Sequence, residues 1–299
     1  MRLFFKIILT ILLLSFFSNK IIFSKSLRIL LTGPHQSGSN IFCNELTKKW
    51  EYIENNLKIK LVKKIEISQI KRLEHINNNK NSLAIIDAET AHEKLKKYPN
   101  IRVLSLLWEN WLFAIGNVQE PVLSYENTKT FLIHENSYYF ANLWKTWSPK
   151  TKFKWFNKKK LPNLNNGLSE EVLVFNGPKE IIEIFYWLEN LPGIQLLLFD
   201  KKVLKSLRFN YKWLIPKKIK ANTFPYQTED ILGLKWHPVL VGHSYLSENF
   251  VLALLKIIYG HKEKIAPHYL FKNLKISDNK IFRDTLSFHV SSKKMFLFK

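Results

Sequence analysis

The chain has 299 residues, of which 46 are Lys or Arg and 24 are Asp or Glu, so its formal net charge is +22. A hydrophobic content of 46% is enough to build a packed core and excludes a globally disordered chain. The nine glycines, about 3% of the residues, are too few for glycine-dense nucleotide-binding loops.

The first 24 residues have the pattern of a secretory signal peptide. Arg2 and Lys6 precede a mostly apolar run of 11 residues, from 7 to 17. Such a run suits the translocon but is shorter than the roughly 18 residues that a membrane span needs. We therefore expect residues 1–24 to be removed on export to the periplasm; an uncleaved membrane anchor is the alternative. The mature chain would keep 43 basic and 24 acidic residues, or +19.

The excess positive charge suits nucleic acid, an anionic membrane surface or an anionic solute. The densest basic and aromatic stretch runs from residue 145 to residue 160. Because most lysines are spread along the whole chain, we expect this stretch to be a solvated lobe surface whose aromatic rings turn into the core. No nucleic-acid partner is predicted.

Neither a disulfide nor a metal site is expected. Cys43 is the single cysteine, and its place on a predicted helix indicates a buried small hydrophobic side chain. The nine histidines include no His-Glu-x-x-His pattern and no tight sequence cluster with Cys or carboxylates. We predict no metal and no cofactor.

Short apolar strands alternate with amphipathic helices along most of the chain. Strands are predicted at 26–31, 57–62, 82–86, 102–107, 111–115, 130–133, 153–156, 171–175, 194–198 and 239–241. Helices are predicted at 41–53, 68–77, 89–97, 137–147, 179–191 and 248–259. The fold class is therefore α/β, with two lobes of the periplasmic-binding-protein type II kind, each an open, mostly parallel sheet flanked by helices, and a ligand cleft between them.

The turn after the first strand is the most chemically distinctive segment. Residues 32–40 (TGPHQSGSN) join a strand to a helix, so backbone N–H groups and the positive end of the helix dipole face any anion there. Gly33 and Gly38 have the spacing of a phosphate-binding loop, but Ser39 stands where that loop carries Lys. A carboxylate is thus a better guest than a nucleotide. The alternative is an ordinary helix start capped by Ser39 or Asn40.

A second turn looks like the start of a nucleophile elbow. Gly242-His243-Ser244 follows a strand, but Leu246 occupies the position of the second Gly of that motif. An exported hydrolase that uses Ser244 is therefore the least favoured function, against a turn or helix-cap role before Glu248. No catalytic residue is predicted.

Several segments together resemble the TAXI solute-binding proteins of tripartite ATP-independent periplasmic (TRAP) transporters. They are TG at 32–33 with SGS at 37–39, SLAIIDAETA at 82–91, FNGP at 175–178 and, most specifically, IKANTFPYQTED at 219–230. The resemblance spans nearly the whole mature chain and is weakest over residues 130–215.

The resemblance implies a periplasmic two-lobed receptor that closes on a small carboxylate-bearing solute, such as a glutamate-like amino acid or an organic acid. It implies delivery of that solute to the membrane subunits of a TRAP permease by a soluble monomer. We expect lobe 1 to comprise residues 25–117 and 224–299, and lobe 2 residues 118–223. The positions that match ligand-binding segments of the family are Ser37, Gly38, Ser39, Asn40, Asp87, Ala88, Glu135, Asn136, Ser137, Thr223 and Phe224.

Three features depart from the family pattern. Asp87 puts a negative charge where the family has Gln, the loop at 134–137 lacks glycine, and Asn222 replaces Gly. Asp87 either faces an amino group of the solute, weakens carboxylate binding, or caps the helix that starts near Glu89. The alternative function is therefore a divergent member whose pocket is altered or lost, acting as a sensor or protein-interaction module.

Overall fold

In a computed structural model of the chain, the described residues are 26–33, 37–53, 57–117, 119, 122–123, 130–134, 141–142, 144–145, 148–156, 171–177, 186, 188–191, 193–260, 270, 274–280, 282 and 284–297. The signal peptide and the loop at 135–137 lie outside these residues and stay predictions. No helix within the described ranges is both long and apolar enough to span a membrane.

The described chain forms two main sheets with helices around them. The helices are α1 (Gly38–Ile53), α2 (Gln69–Asn78), α3 (Ala88–Lys94), α4 (Lys201–Asn210), α5 (Glu248–Gly260) and α6 (Val290–Leu297), and Leu95–Lys97 and Ile276–Lys280 are 3-10 turns. The first sheet contains β1 (Ser26–Thr32), β2 (Ile59–Ile65), β3 (Ser82–Ile86), β4 (Ile101–Leu106) and β14 (Val239–His243). The second contains β5 (Asn110–Asn117), β7 (Thr130–His134), β8 (Lys152–Phe156), β9 (Glu171–Gly177), β10 (Ile194–Leu196), β12 (Ile215–Ile219) and β13 (Ile231–Trp236). A separate pair consists of β6 (Val122–Leu123) and β11 (Leu198–Phe199).

The first sheet has the strand order β2-β1-β3-β14-β4. β1 pairs in parallel with β2 and β3, whereas β14 is antiparallel to β3 and β4, so β1 to β4 share one direction. Every residue of β3 is buried, as expected for a strand covered on both faces. The chain runs outward from β1 to β2 and then back past β1 to β3. Right-handed crossovers consequently place α1 and α2 on opposite faces of the sheet.

Helices and the C-terminal segment cover this first sheet. The rings of Trp50 on α1 and Phe250 on α5 pack with centroids 5.1 Å apart. The N–H of His289 donates to the carbonyl of Val103 at 2.8 Å, so the C-terminal segment covers the edge strand β4. Cys43 is fully buried in this core, and burial raises the pKa of its thiol to about 12. The prediction of a buried cysteine is confirmed.

The second sheet has the order β12-β13-β5-β9-β7-β8, with β10 also paired to β5. β7, β8, β9, β10 and β13 point one way, and β5 and β12 point the other. Both sheets are therefore mostly unidirectional, and the predicted α/β class with two helix-flanked sheets is confirmed. The expectation that the aromatic rings of residues 145–160 turn into the core was wrong for one ring. Trp155 on the edge strand β8 is 53% exposed and does not turn into the core, although Phe153 on the same face of this strand packs against the core.

The chain crosses between the sheets twice, at residues 107–109 and at residues 237–238. Both crossings lie at one edge, since Val239 pairs with Ile86 and Leu106 while Trp236 pairs with Asn110. The expected boundaries assigned β5 and β13 to lobe 1, whereas both strands hydrogen-bond in the second sheet. An apolar strand pattern does not reveal which of two sheets the strand joins.

Candidate functional site

The candidate site lies where β1 and β3 end. These strands are parallel neighbours, with Leu31 beside Ala84, so the turn after β1 and the residue after β3 meet at one edge of the sheet. Both crossings between the two sheets lie at this same edge. The order β2-β1-β3 makes the gap between β1 and β3 a topological switch point, where the loops leave in opposite directions and open a crevice.

The turn after β1 gathers two serine hydroxyls at the start of α1. Ser37 Oγ and Ser39 Oγ are 3.0 Å apart, and the N–H of Gly33 donates to Ser39 Oγ at 3.2 Å. The N–H of Asn40 donates to Ser37 Oγ at 3.2 Å. Ser37 is therefore the residue that caps α1, in place of Ser39 or Asn40 in the capping alternative. Helix capping and anion binding use the same end of α1. The hydrogen bond from Asn40 to Ser37 therefore does not decide between these two roles of the turn.

Close packing favours glycine at two points of this turn. A Cβ atom on Gly33 would lie 2.8 Å from Ser39 Oγ, and one on Gly38 would lie 3.1 Å from the ring of Trp108. Trp108 belongs to the first crossing and also packs on Phe42, with ring centroids 5.4 Å apart. The turn is thereby fixed against the segment that leads into the second sheet.

Asp87 follows β3 and precedes α3. The side-chain amide of Gln69 donates to Asp87 Oδ2, and the N–H of Asp87 donates to Gln69 Oε1 at 2.7 Å. The Asp87 side chain makes no capping hydrogen bond to α3, so the capping alternative is not used here. Asp87 is exposed to solvent, although protein atoms surround its carboxyl closely. Lost hydration raises its pKa, and the Gln69 bond and the Arg72 charge oppose that rise.

Arg72 is a site residue that the sequence analysis missed. It lies on the buried face of α2 with Leu73 and Ile76 and is only 5% exposed. Its guanidinium donates to the carbonyl of Ile67 at 3.0 Å and to that of Ile85, and Nη2 would be 3.6 Å from a Cβ on Gly33. The signal that could have found it is an Arg on the apolar face of an amphipathic helix. A buried cation behind this turn favours an anion in front of it.

The start of α3 connects the site to the second lobe. Ala88 is 1% exposed and belongs to the hydrophobic cluster of the second sheet, which includes Trp213 and Leu234. Glu89 follows it, and burial, then the charges of Glu93 and Asp87, raise the pKa of the Glu89 carboxyl. This side of the crevice is therefore acidic, opposite to the hydroxyl-rich turn.

Two expected ligand residues of the second lobe lie elsewhere. Thr223 and Phe224 belong to the hairpin between β12 and β13, at the end of the sheet away from the crossings. Ile231 and Trp236 are the two ends of β13 and lie five residue steps apart, which is about 17 Å along the strand. Phe224 is 3% exposed and packs on Phe113 with ring centroids 5.4 Å apart. The structure does not bring this pair together with the turn after β1.

The same hairpin explains one departure from the family pattern. Asn222 has a φ of 61°, in the left-handed region that Asn tolerates better than most residues, so it can replace Gly there.

The other second-lobe candidates, Glu135, Asn136 and Ser137, lie outside the described residues. β7 ends at His134 on the same side of its sheet as Gly177, which pairs with Trp111 beside the first crossing.

A buried cluster of charges joins the two crossings. Glu109 Oε1 accepts from Lys235 Nζ at 2.7 Å and from Lys217 Nζ at 2.9 Å, and Lys235 Nζ is 3.8 Å from Asp278 Oδ1. Burial alone would raise the pKa of Glu109, but the hydrogen bonds and charges of the two lysines lower it to about 2. Glu109 therefore stays ionised, and its bond to Lys235 connects the segments that enter and leave the second sheet.

The same cluster contains three side chains with metal-ligand chemistry. Glu109, His237 and Asp278 place one ligand atom each within 4.8 Å of one another. The ammonium of Lys235 already supplies a positive charge between the two carboxylates, so the group fits that ammonium better than a divalent cation. Sequence spacing could not reveal the cluster, because its members are far apart along the chain. The absence of a metal stays a prediction.

Ser244 lies at the other edge of the first sheet. β14 begins beside the crossings and ends at His243, so Ser244 is a full strand length from the crevice. Its N–H donates to the carbonyl of Asn100 at 2.7 Å. Among the described residues, no hydrogen bond joins the Ser244 hydroxyl to a histidine side chain. The His289 side chain bonds to the backbone of Ser244 and Leu246 and not to the Ser244 hydroxyl, so the described contacts give the hydrolase hypothesis no support.

Comparisons with known proteins yield structural similarity alone. No protein-family model matches the chain, and no curated protein sequence matches it. PstS from Borrelia burgdorferi is 10% identical with a TM-score of 0.47, covering 89% of this chain and 100% of its own. The amino acid ABC transporter substrate-binding protein AbpA from Streptococcus pneumoniae, bound to L-arginine, is 13% identical with a TM-score of 0.42, covering 89% and 98%. An ABC-type phosphate transport receptor from Vibrio cholerae is 9% identical with a TM-score of 0.45, covering 87% and 99%. Because these TM-scores are below 0.5, the fold rests on strand order and register, and the similarity carries no argument about solute or partner.

Proposed function

We propose that this protein is an extracytoplasmic solute receptor that binds a small carboxylate-bearing solute and delivers it to a TRAP-type permease. One observation carries the proposal: the turn after β1 and Asp87 after β3 meet at the switch point between these two strands, on the edge where the chain crosses to the second sheet. The sequence resemblance to the TAXI family supports the solute class and the permease. The role is one of binding, without catalysis and without a cofactor.

The chemistry of the crevice suits a molecule with both an acid and an amino group. The hydroxyls of Ser37 and Ser39 and the start of α1 offer donors to a carboxylate, and the buried Arg72 adds positive charge behind them. Asp87, oriented by Gln69, offers a carboxylate to an ammonium group. A glutamate-like amino acid therefore fits better than an organic acid that lacks an amino group.

The two-sheet arrangement gives this receptor a way to close. Only two short segments of chain connect the sheets within the described residues, and the buried Glu109–Lys235 pair joins them. Rotation about these segments would bring the end of β7, followed by Glu135, Asn136 and Ser137, toward the turn after β1. Because closure draws on binding energy, a solute must contact both lobes to hold the closed state.

A thermal-shift screen of purified residues 25–299 tests the proposal. The panel contains L-amino acids, dicarboxylates, short oxo-acids and inorganic phosphate. A solute at 100 times its Kd should add about 2.7 kcal/mol of stability, which is a shift of several degrees. We expect one amino acid to produce such a shift, and Ser39→Ala, which removes a hydroxyl donor, to lose most of it. Ser287→Ala changes an exposed serine on the C-terminal segment and is the matched control.

Two results would contradict this proposal. An equal shift in Ser39→Ala and wild type would put the binding site elsewhere. No shift across the panel, in a protein that unfolds cooperatively, would favour the divergent member with a lost pocket, acting as a sensor or protein-interaction module.

A further inference from the structure

The segment from residue 201 to residue 220 has a strongly one-sided charge. It contains eight basic residues and no Asp or Glu: Lys201, Lys202, Lys205, Arg208, Lys212, Lys217, Lys218 and Lys220. Its first half is α4, which follows the capping residue Asp200. Part of the excess positive charge of the chain is therefore carried by this helix and the strand that follows it.

α4 presents this charge on a single face. Val203, Leu204 and Leu207 are buried in the second lobe. Lys201, Lys205 and Arg208 are exposed and follow one another at intervals of four and three residues, so they lie along the opposite face. Within the described residues, these three side chains form no ion pair. The same is true of the exposed Lys212 just beyond the helix.

Neighbouring charges limit this surface on two sides. Lys217 is paired with Glu109, and Lys218 and Lys220 lie 3.8 and 3.0 Å from Asp230, so the lysines of β12 and its hairpin are largely neutralised. At the other end of α4, the charges of Glu89 and Glu93 act with burial to raise the pKa of Tyr211. We call the unneutralised surface, which consists of Lys201, Lys205, Arg208, Phe209 and Lys212, the basic face.

Phe209 distinguishes the basic face from a purely electrostatic patch. Its side chain is 81% exposed and stands beside Arg208. Lysines and arginines around a protruding aromatic ring are typical of helices that lie in the interface of a lipid bilayer, where the cations meet anionic headgroups and the ring enters the acyl boundary. A nucleic acid could also stack a base on this ring. The predicted export of the chain favours a lipid surface over a nucleic acid as the partner.

We propose that the basic face of α4 docks this protein on an anionic phospholipid surface. Charge complementarity and the exposed ring of Phe209 support this docking, whatever the identity of the solute. For an exported receptor, docking would keep the protein next to the membrane in which its permease lies. It would also give a function to part of the high positive charge of the chain.

Co-sedimentation with lipid vesicles tests this proposal. Residues 25–299 are mixed with vesicles of phosphatidylcholine alone and of phosphatidylcholine and phosphatidylglycerol in equal amounts. We expect binding to the anionic vesicles only, and weaker binding as salt is added. The double variant Lys205→Glu with Arg208→Glu should lower the partition coefficient roughly thirtyfold or more, given the usual contribution of each basic residue near a charged membrane. Phe209→Ser should lower it several-fold and keep the salt dependence.

A matched control separates the basic face from net charge. Lys96→Glu with Lys97→Glu makes the same change of charge at two exposed lysines of the first lobe and should leave binding within about twofold of wild type. Equal loss in both double variants, or equal binding to the two kinds of vesicle, would overturn the proposal. So would binding to a single-stranded DNA oligonucleotide that is tighter than binding to the anionic vesicles, since that result would identify a nucleic acid as the partner. The thermal-shift response to solutes is independent of each of these outcomes.

Discussion

At the scale of single residues, Glu109 has the largest structural role at the crossings. It is 8% exposed and accepts hydrogen bonds from Lys235, which is 2% exposed, and from Lys217. Removing one partner of a buried pair leaves the other charge without compensation and typically costs about 3 to 5 kcal/mol. Glu109 therefore contributes stability to the segment on which any lobe movement depends.

The lowered pKa of Glu109 leads to a pH prediction. A carboxyl whose pKa falls from 4.5 unfolded to about 2 folded contributes its full stability above pH 4.5 and loses it as the pH falls toward 2. This group should account for roughly 3 kcal/mol of unfolding free energy over that interval. In urea denaturation at a series of pH values, we expect Glu109→Gln to lack this part of the wild-type acid dependence. Glu51→Gln, which removes an exposed carboxylate of α1, should follow the wild-type profile. Parallel profiles for Glu109→Gln and wild type would contradict the assignment.

The sequence could nominate some site residues and not others. The turn with Ser37 and Ser39, and Asp87 after a wholly apolar strand, stand out because strand ends in α/β proteins collect polar residues. Arg72 and Gln69 lie within a helix and become relevant only when α2 packs beside β3. Local pattern identifies positions at sheet edges, whereas contacts between distant segments require the fold.

At the scale of elements, α4 shows how local chemistry starts a helix. The N–H of Lys202 donates to Asp200 Oδ1 at 2.6 Å, which satisfies one of the backbone donors that a helix start leaves unpaired. This helix carries the basic face, so its cap also holds that surface in place.

We predict that Asp200→Ala lowers the free energy of unfolding by about 1 kcal/mol, because alanine offers no oxygen to the first turn. Asp200→Asn keeps a side-chain oxygen and should lose much less. Chemical denaturation of the two variants against wild type measures the difference. An equal loss in both would mean that the charge of Asp200 matters more than its cap.

Two of the elements that escaped prediction, β12 and α4, share one cause. β12 (Ile215–Ile219) contains Pro and two lysines, as suits an edge strand but not an apolar pattern, and α4 has only three buried side chains among its lysines. β3, by contrast, was predicted at its observed bounds because all five of its residues are buried. Burial does not guarantee prediction, because β13 was missed although five of its six residues are buried.

At the scale of the whole molecule, the strand order does most to position the candidate site. β1 and β3 are neighbours although β2 lies between them in sequence, so two segments more than 40 residues apart meet at one edge. The alternation of strands and helices predicted the α/β class and two sheets. It could not predict where the chain passes from one sheet to the other, because β5 and β13 are as apolar as the strands of the first sheet.

Isothermal titration tests the central claim, that a small acid binds at the edge where the chain crosses between the sheets. The acid that gives the largest thermal shift is titrated into wild type, Ser39→Ala and Thr223→Val. Loss of a hydrogen bond to a charged group should weaken binding by about tenfold or more in Ser39→Ala. Thr223→Val, at the far end of the second sheet, should stay within about twofold of wild type. A loss confined to Thr223→Val, or equal affinity in all three proteins, would contradict the account.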